Sequence, residues 1–217
     1  MISSASFRLP SIARRALLAI ALMLPAVALP FAAHAQTPSE ALVSDKIHAG
    51  LDILGNPQLT QAQRNAQFET LLLGITDMKR ISLFVLGPYA TSASAADRSA
   101  FVAAFQSYAV AVYRSYLGKY SGQTLKVTGS RQNAPADDIV ATTMTDPSDG
   151  SGRPLDVDFR VRSDTGTPVI VDFSVAGIWL ALEERDQFTA FLGQNGGKVP
   201  ALIAHLDALR AKIAAAN

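Results

Sequence analysis

The chain has 217 residues, 49% of them hydrophobic, with 19 Lys+Arg against 18 Asp+Glu, a net formal charge of +1 and no cysteine. The missing cysteine excludes disulfide stapling, thiolate metal sites and a cysteine nucleophile. The near-neutral balance, without a basic block, lacks the electrostatic footprint of a nucleic-acid binder.

The first thirty-five residues read as a cleaved signal peptide. Arg8, Arg14 and Arg15 form a positive lead, ALLAIALMLPAVAL (16–29) is apolar and broken by Pro25, and AHA (33–35) offers the small residues of a cleavage site before Gln36. The apolar run falls short of the roughly 20 residues that span a bilayer. Three basic residues and no acidic ones leave with the leader, so the formal charge turns from +1 to −2. The remainder, 36–217, fits one soluble domain with its own core.

In chain order, Ser39 is the expected cap of a first helix, EALVSDKIHAGLDIL, which Gly55-Asn56-Pro57 stops. Thr60 opens a second, QAQRNAQFETLLLG, with Phe68, Leu71, Leu72 and Ile75 on one side. Thr76 or Asp77 caps a third, MKRISLFVLG, ended by Gly87-Pro88. TSASAADRSAF then opens the clearest helix, closed by Gly118. At about 100° per residue its Phe101, Phe105, Tyr108, Val112 and Tyr116 share one face.

From Ser121 the period changes to two. QTLKVTGS, DDIVATTMTD, RPLDVDFRVRSD and TGTPVIVDFSVAG read as four strands, with a long loop over DPSDGSGR and a turn at Asp164-Thr165-Gly166. Leu155, Val157, Phe159 and Val161 alternate with Asp156, Asp158, Arg160 and Arg162. Val169, Val171, Phe173 and Val175 face one way, and Ile170, Asp172 and Ser174 the other. Short links imply an antiparallel sheet, apolar on one face and covered on that side only. GIWLALEERDQFTAFLGQ and VPALIAHLDALRAKI close the chain as helices separated by Asn195-Gly196-Gly197. Helices, then strands, then helices make the α+β class.

Motifs for catalysis or metal binding are missing. Beyond the leader only His48 and His205 occur, there is no G-x-S-x-G or H-E-x-x-H, and Asp146, Asp149 and Asp164 match turn chemistry rather than an EF-hand loop. GSG at 150–152 reads as hairpin loop. Asp156, Asp158 and Asp172 would suit a proton-abstracting base only if one faced inward, and the alternation puts all three on the polar face. Neither a cofactor nor a metal is expected. The aromatic set Phe84, Tyr89, Phe101, Phe105, Tyr108, Tyr113, Tyr116, Phe159, Phe173 and Trp179 suits either an ordinary core or a cavity wall, and periodicity does not decide between them.

Two long stretches carry a resemblance. DMKRISLFVLGPYATSASAADRSAFVAAFQSYAVAVYRSYLGKYSG (77–122) combines an Asp-opened helix, V-L-G, an aromatic, a Ser/Thr-rich cap, an aromatic-rich helix and a Tyr-x-Gly exit. VDFRVRSDTGTPVIVDFSVAGIWLALEERDQFTAFLGQNGGKVPALIAHL (157–206) combines two strands, an R-x-Q-F helix and a Gly-rich break before the last helix. Together they resemble the MlaC family of periplasmic phospholipid-binding proteins, also called toluene-tolerance auxiliary proteins, with the hopanoid-associated HpnM proteins as close relatives. Pro88, Tyr89 and Ala90 stand where the family has an Arg and an aromatic pair, Pro168 where it has a Trp, and Trp179 where it has a small residue.

The resemblance implies a cone-like fold, a curved antiparallel sheet of about four strands wrapped by helices around an apolar pocket. It implies a monomeric periplasmic carrier, not an enzyme, that maintains outer-membrane lipid asymmetry. The carrier would exchange phospholipid between an outer-membrane lipoprotein–porin complex and an inner-membrane ABC transporter with its substrate-binding ring. Covering about thirty methylenes at roughly 0.8 kcal/mol each requires a dry apolar cavity rather than a list of polar groups. Val157, Phe159, Val161, Val171, Phe173 and Val175 would form its floor, with Phe84, Phe105, Tyr108, Val112 and Tyr116 as walls and Trp179 at the rim. Arg185 falls in the middle of the apolar stripe Ile178, Ala181, Leu182, Phe188, Leu192 and needs an anion, either a structural carboxylate or a lipid phosphate. Three other readings remain: a hopanoid or sterol carrier, a small α+β hydrolase or isomerase with an inward Asp, and a ligand-free envelope scaffold.

Overall fold

Seven helices and one five-stranded sheet make up the protein as the computed structural model describes it, over residues 36–117 and 120–216. The expected leader at 1–35 and the closing Gly118 lie outside the described residues. The helices are α1 (Pro38–Gly55), α2 (Gln61–Ile75), α3 (Met78–Val85), α4 (Tyr89–Ser92), α5 (Ala95–Leu117), α6 (Leu180–Gln194) and α7 (Val199–Ala216). The strands are β1 (Thr124–Ala134), β2 (Asp137–Thr145), β3 (Leu155–Arg162), β4 (Val169–Val175) and β5 (Ile178–Trp179). They pair antiparallel in chain order, which is the expected α+β arrangement with one strand more than expected.

Local chemistry fixes the helix starts. Thr37, not Ser39, caps α1: its side chain accepts from the Glu40 amide while the Glu40 carboxylate accepts from the Thr37 amide at 2.9 Å. Pro38 sits comfortably in the first turn. Ser39 instead donates to Asp138 on the sheet at 2.6 Å. Thr60 makes the same box with Gln63, Asp77 caps α3 through the Arg80 amide, and Ser94 caps α5 through the Asp97 amide. Each cap contributes about 1 kcal/mol.

Cross-strand partners share a face, so the register defines two surfaces. One carries the rows Val127–Thr142–Val157–Val175, Ser130–Val140–Phe159–Phe173 and Asp138–Val161–Ile170. The other carries Arg131–Ile139–Arg160–Asp172 and Ala141–Asp158–Ser174–Trp179. A bulge corrects the expected facing of β4. Val161 pairs with Ile170 and Arg160 with Asp172, so Val171 is the extra residue between them. Ile170 therefore joins the apolar face and is buried, while Val169 pairs with Arg162 on the charged face. Strict alternation has no way to anticipate one inserted residue. The charged face is also less open than expected, because Asp137, Ile139 and Ser174 on it are buried.

The chain after β4 differs from the expected helix. Ala176 and Gly177 adopt φ of 51° and 82°, the two left-handed positions of a tight hairpin. Ile178 and Trp179 return as β5, and α6 begins only at Leu180. Trp179, in the N-cap place, offers no capping side chain. Asp172 supplies what is missing: its Oδ1 accepts from the Ala181 amide at 2.8 Å and from the Phe173 amide at 2.8 Å. A carboxylate at a helix N-terminus also complements the helix dipole.

Hydrophobic burial falls into two separate clusters. Val85, Leu86, Phe101, Phe105, Ala181, Phe188, Leu192, Val199, Leu202 and Leu206 form the first, made of α3, α5, α6, α7 and the residue after α3. Val43 of α1 with Val140, Val161 and Ile170 of the sheet forms the second. No sheet residue belongs to the first cluster.

Across the hairpin ends of the sheet, Asp137 is 1% exposed and is gripped by Arg160 through two hydrogen bonds of 2.9 and 2.7 Å and by Asn133 at 2.9 Å. Arg162 and Arg80 continue the ladder onto Asp164. The Arg160 contact holds the Asp137 carboxyl below the usual carboxylate range. A depressed folded value means stability that is present above the unfolded value, near 4, and lost as pH falls through the folded one. Asp137→Ala should therefore cost about 2 kcal/mol at pH 7 in urea melts, below the ~3–5 kcal/mol of a fully buried pair because Arg160 keeps water access. The gap to wild type should close as pH drops below about 4.

Candidate functional site

Beside the two clusters lies a seam of apolar residues outside their buried cores, with Phe159 packed against the second. On the sheet it is formed by Val157, Phe159, Phe173 and Val175, and on α5 by Tyr113. The Phe159 and Phe173 rings lie 6.3 Å apart, and Tyr113 meets Phe173 at 5.7 Å. Val157 is buried but stands outside both clusters, and Phe159, Phe173, Val175 and Tyr113 are only half-buried. Tyr113 was one of the aromatics noted in the sequence but not one of the expected wall residues. Its position, about 100° around α5 from Val112 and so off the Phe101–Phe105–Tyr108 stripe, hid it.

The expected floor and walls separate accordingly. Phe159, Phe173, Val157 and Val175 come together, and Val161 is fully buried under α1 in the second cluster. Val171 stands at the bulge. Phe105 is interior to the helical cluster, stacked on Phe101 at 5.9 Å and edge-on to Phe188 at 6.1 Å. Tyr108 and Phe84 flank that cluster. Val112 is half-buried, and Tyr116 at the C-terminal end of α5 is 64% exposed. Trp179 pairs with Ser174, which puts it on the face opposite Phe173, at the edge of the sheet. Its expected placement assumed helical geometry, whereas it lies in a strand.

Arg185 does not meet the structural carboxylate expected as one of its two anions. Its guanidinium lies over the Phe84 ring, 4.8 Å from the centroid, and among the described residues it forms no ion pair. Cation–π attraction, strengthened by partial desolvation, takes the place of a carboxylate. Of its expected stripe, Ala181, Phe188 and Leu192 are buried, but Ile178 and Leu182 are exposed.

Polar groups gather where α5, α6 and β4 meet. Tyr108 donates to Glu184 at 3.2 Å. Burial raises both phenols, Tyr108 and Tyr113, the latter also through the Asp172 and Glu184 charges. Burial likewise lifts the Asp172 carboxyl, against the two amides that bind it, and lifts Glu184 against its Tyr108 hydrogen bond. Asp172 is thus engaged through Oδ1 in capping α6. No group of His, Asp or Glu among the described residues is arranged to hold a metal ion.

A concavity of about 790 Å³ lies between α2, α5 and α7, away from the seam. Gln61, Asn65, Gln106, Arg210 and the Glu69–Arg114 ion pair line it together with Val110, Ala111, Ile213 and Ala214, a lining of mixed polarity.

The family model for the MlaC protein matches residues 45–208. The chain belongs to the MlaC family. Among solved structures, the fold is similar to a phospholipid-binding protein from Ralstonia solanacearum determined in complex with a phospholipid. The two share 23% identity with a TM-score of 0.70, over 82% of this chain and 99% of that one. No described helix is long and apolar enough to cross a membrane.

Gly87 controls how closely α6 approaches the end of α3. Its φ is +56°, and an added Cβ would come within 2.6 Å of Thr189 Cγ2 and 3.4 Å of Arg185 Nε. Gly87→Ala should lower stability by about 1–3 kcal/mol from backbone strain and overpacking together. Thermal unfolding of the variant checks this.

Proposed function

We propose that this protein is a non-enzymatic phospholipid carrier of the periplasm. It takes lipid between an outer-membrane lipoprotein–porin complex and an inner-membrane ABC transporter and thereby helps maintain outer-membrane lipid asymmetry. The observation that carries this reading is the apolar seam: Val157, Phe159, Phe173 and Val175 of the sheet lie outside both buried cores, and Phe173 meets Tyr113 of α5. Membership of the MlaC family and the likeness to a protein solved with phospholipid support it.

The physical logic is one of matched environments. Two acyl chains moved into water cost about 0.8 kcal/mol per methylene. A dry seam lined by Val157, Phe159, Phe173, Val175 and Tyr113 offsets that cost much as a bilayer does, so transfer runs near balance and the partners set its direction. The chain from Gln36 is read as the exported, leader-free form.

Native mass spectrometry of the protein isolated from its own periplasm tests the proposal. A bound diacyl phospholipid is expected, with Phe173→Ala carrying several-fold less of it. A triterpenoid would favour a hopanoid carrier instead, and consistently lipid-free protein would overturn the reading.

A further inference from the structure

Glu184 is left half-used by the fold. Its Oε1 accepts the Tyr108 hydroxyl, but its Oε2 is buried and has no hydrogen-bond partner. Among the described residues no cation stands within ion-pair distance of it. Arg185, the next residue, turns instead to the Phe84 ring. A buried carboxylate oxygen without a donor is costly, and native proteins rarely keep one without a reason.

The surroundings indicate which donor is missing. From α5, Tyr108 donates to Glu184, and Tyr113 lies within electrostatic reach of both Glu184 and Asp172 of β4. On α6 itself, Glu183 adds further negative field. Asp172 turns its Oδ1 to the Phe173 and Ala181 amides and makes no hydrogen bond to Glu184. Aromatic rings beside an unneutralised carboxylate form an environment for a cationic or hydroxylic donor, and such a charge-assisted bond is among the stronger ones.

We propose that Glu184 determines specificity for the polar end of the bound lipid, its unpartnered Oε2 accepting a hydrogen bond from an ammonium or hydroxyl donor there. This rests on the phospholipid-carrier reading. Phosphatidylethanolamine supplies charge and N–H donors, phosphatidylglycerol supplies hydroxyl donors alone, and phosphatidylcholine supplies charge with no donor. Comparing the three isolates the hydrogen bond and separates its two sources.

The test is competition among these lipids, with matched acyl chains, for the purified protein, read by native mass spectrometry. Wild type should take the better of the two donor lipids over phosphatidylcholine by about tenfold, the scale of one hydrogen bond to a charged group. Glu184→Gln keeps an acceptor for Tyr108 but places an amide donor where Oε2 was, so the ratio should fall to near one. In wild type, any preference for the ammonium should also weaken as pH is lowered and Glu184 takes up its proton. That measurement decides the matter even if the variant does not fold. Equal uptake of all three by wild type, or a preference that survives in Glu184→Gln, would overturn the Glu184 inference while leaving the carrier reading intact. Failure of all three to bind would overturn both.

Discussion

The contact on which the rest depends is the meeting of Tyr113 with Phe173 across the gap between helices and sheet. The helical cluster is self-contained, with Phe101, Phe105 and Phe188 packed ring against ring. The cluster under α1 is separate from it, with Phe159 packed against its side. Protein interiors normally pack to crystal density without leaving aromatic side chains half-exposed between elements. Here the apolar face of the sheet is wider than one helix covers: Phe159 only flanks the cluster under α1, and Phe173 meets Tyr113 outside both cores. A seam of this kind is a stability liability in a protein that stays empty and an asset in one that takes up hydrocarbon.

Such a gap persists only if its walls are held independently. The outer edge of β4 is occupied at one end by the bridge from Thr76 to Ile170 and at the other by β5. Asp172 ties the start of α6 to β4 through its carboxylate. The Asp137–Arg160 grip and the Arg162–Asp164–Arg80 ladder join the far ends of β2, β3 and α3. β1, the other edge strand, carries two bulges, which discourage edge-to-edge pairing with another chain. The polar interactions thus lie around the seam and leave its lining apolar.

Much of this architecture was legible in the sequence because it rests on local rules. The helix periodicities, the caps at Thr60 and Asp77, the turn at Asp164–Gly166 and the alternation of β3 all appear where pattern places them. The departures share a cause: one residue that breaks a period. The extra Val171 exchanges the facing of Val169 and Ile170. The left-handed Ala176–Gly177 pair turns Ile178 and Trp179 into a strand, which carries Trp179 to the charged face. Tertiary partners are equally invisible to pattern. Arg185 finds a ring rather than a carboxylate, Asp172 caps a helix from a neighbouring strand, and Tyr113 reaches the sheet from off the main helical stripe.

The central claim is that acyl chains occupy the seam between the sheet and α5. A crystal structure of the protein carrying its co-purified lipid tests this most directly. The account predicts chain density in contact with Phe159, Phe173 and Tyr113. Lipid seated elsewhere, for instance in the groove between α2, α5 and α7, with the seam rings closed on one another, would contradict it.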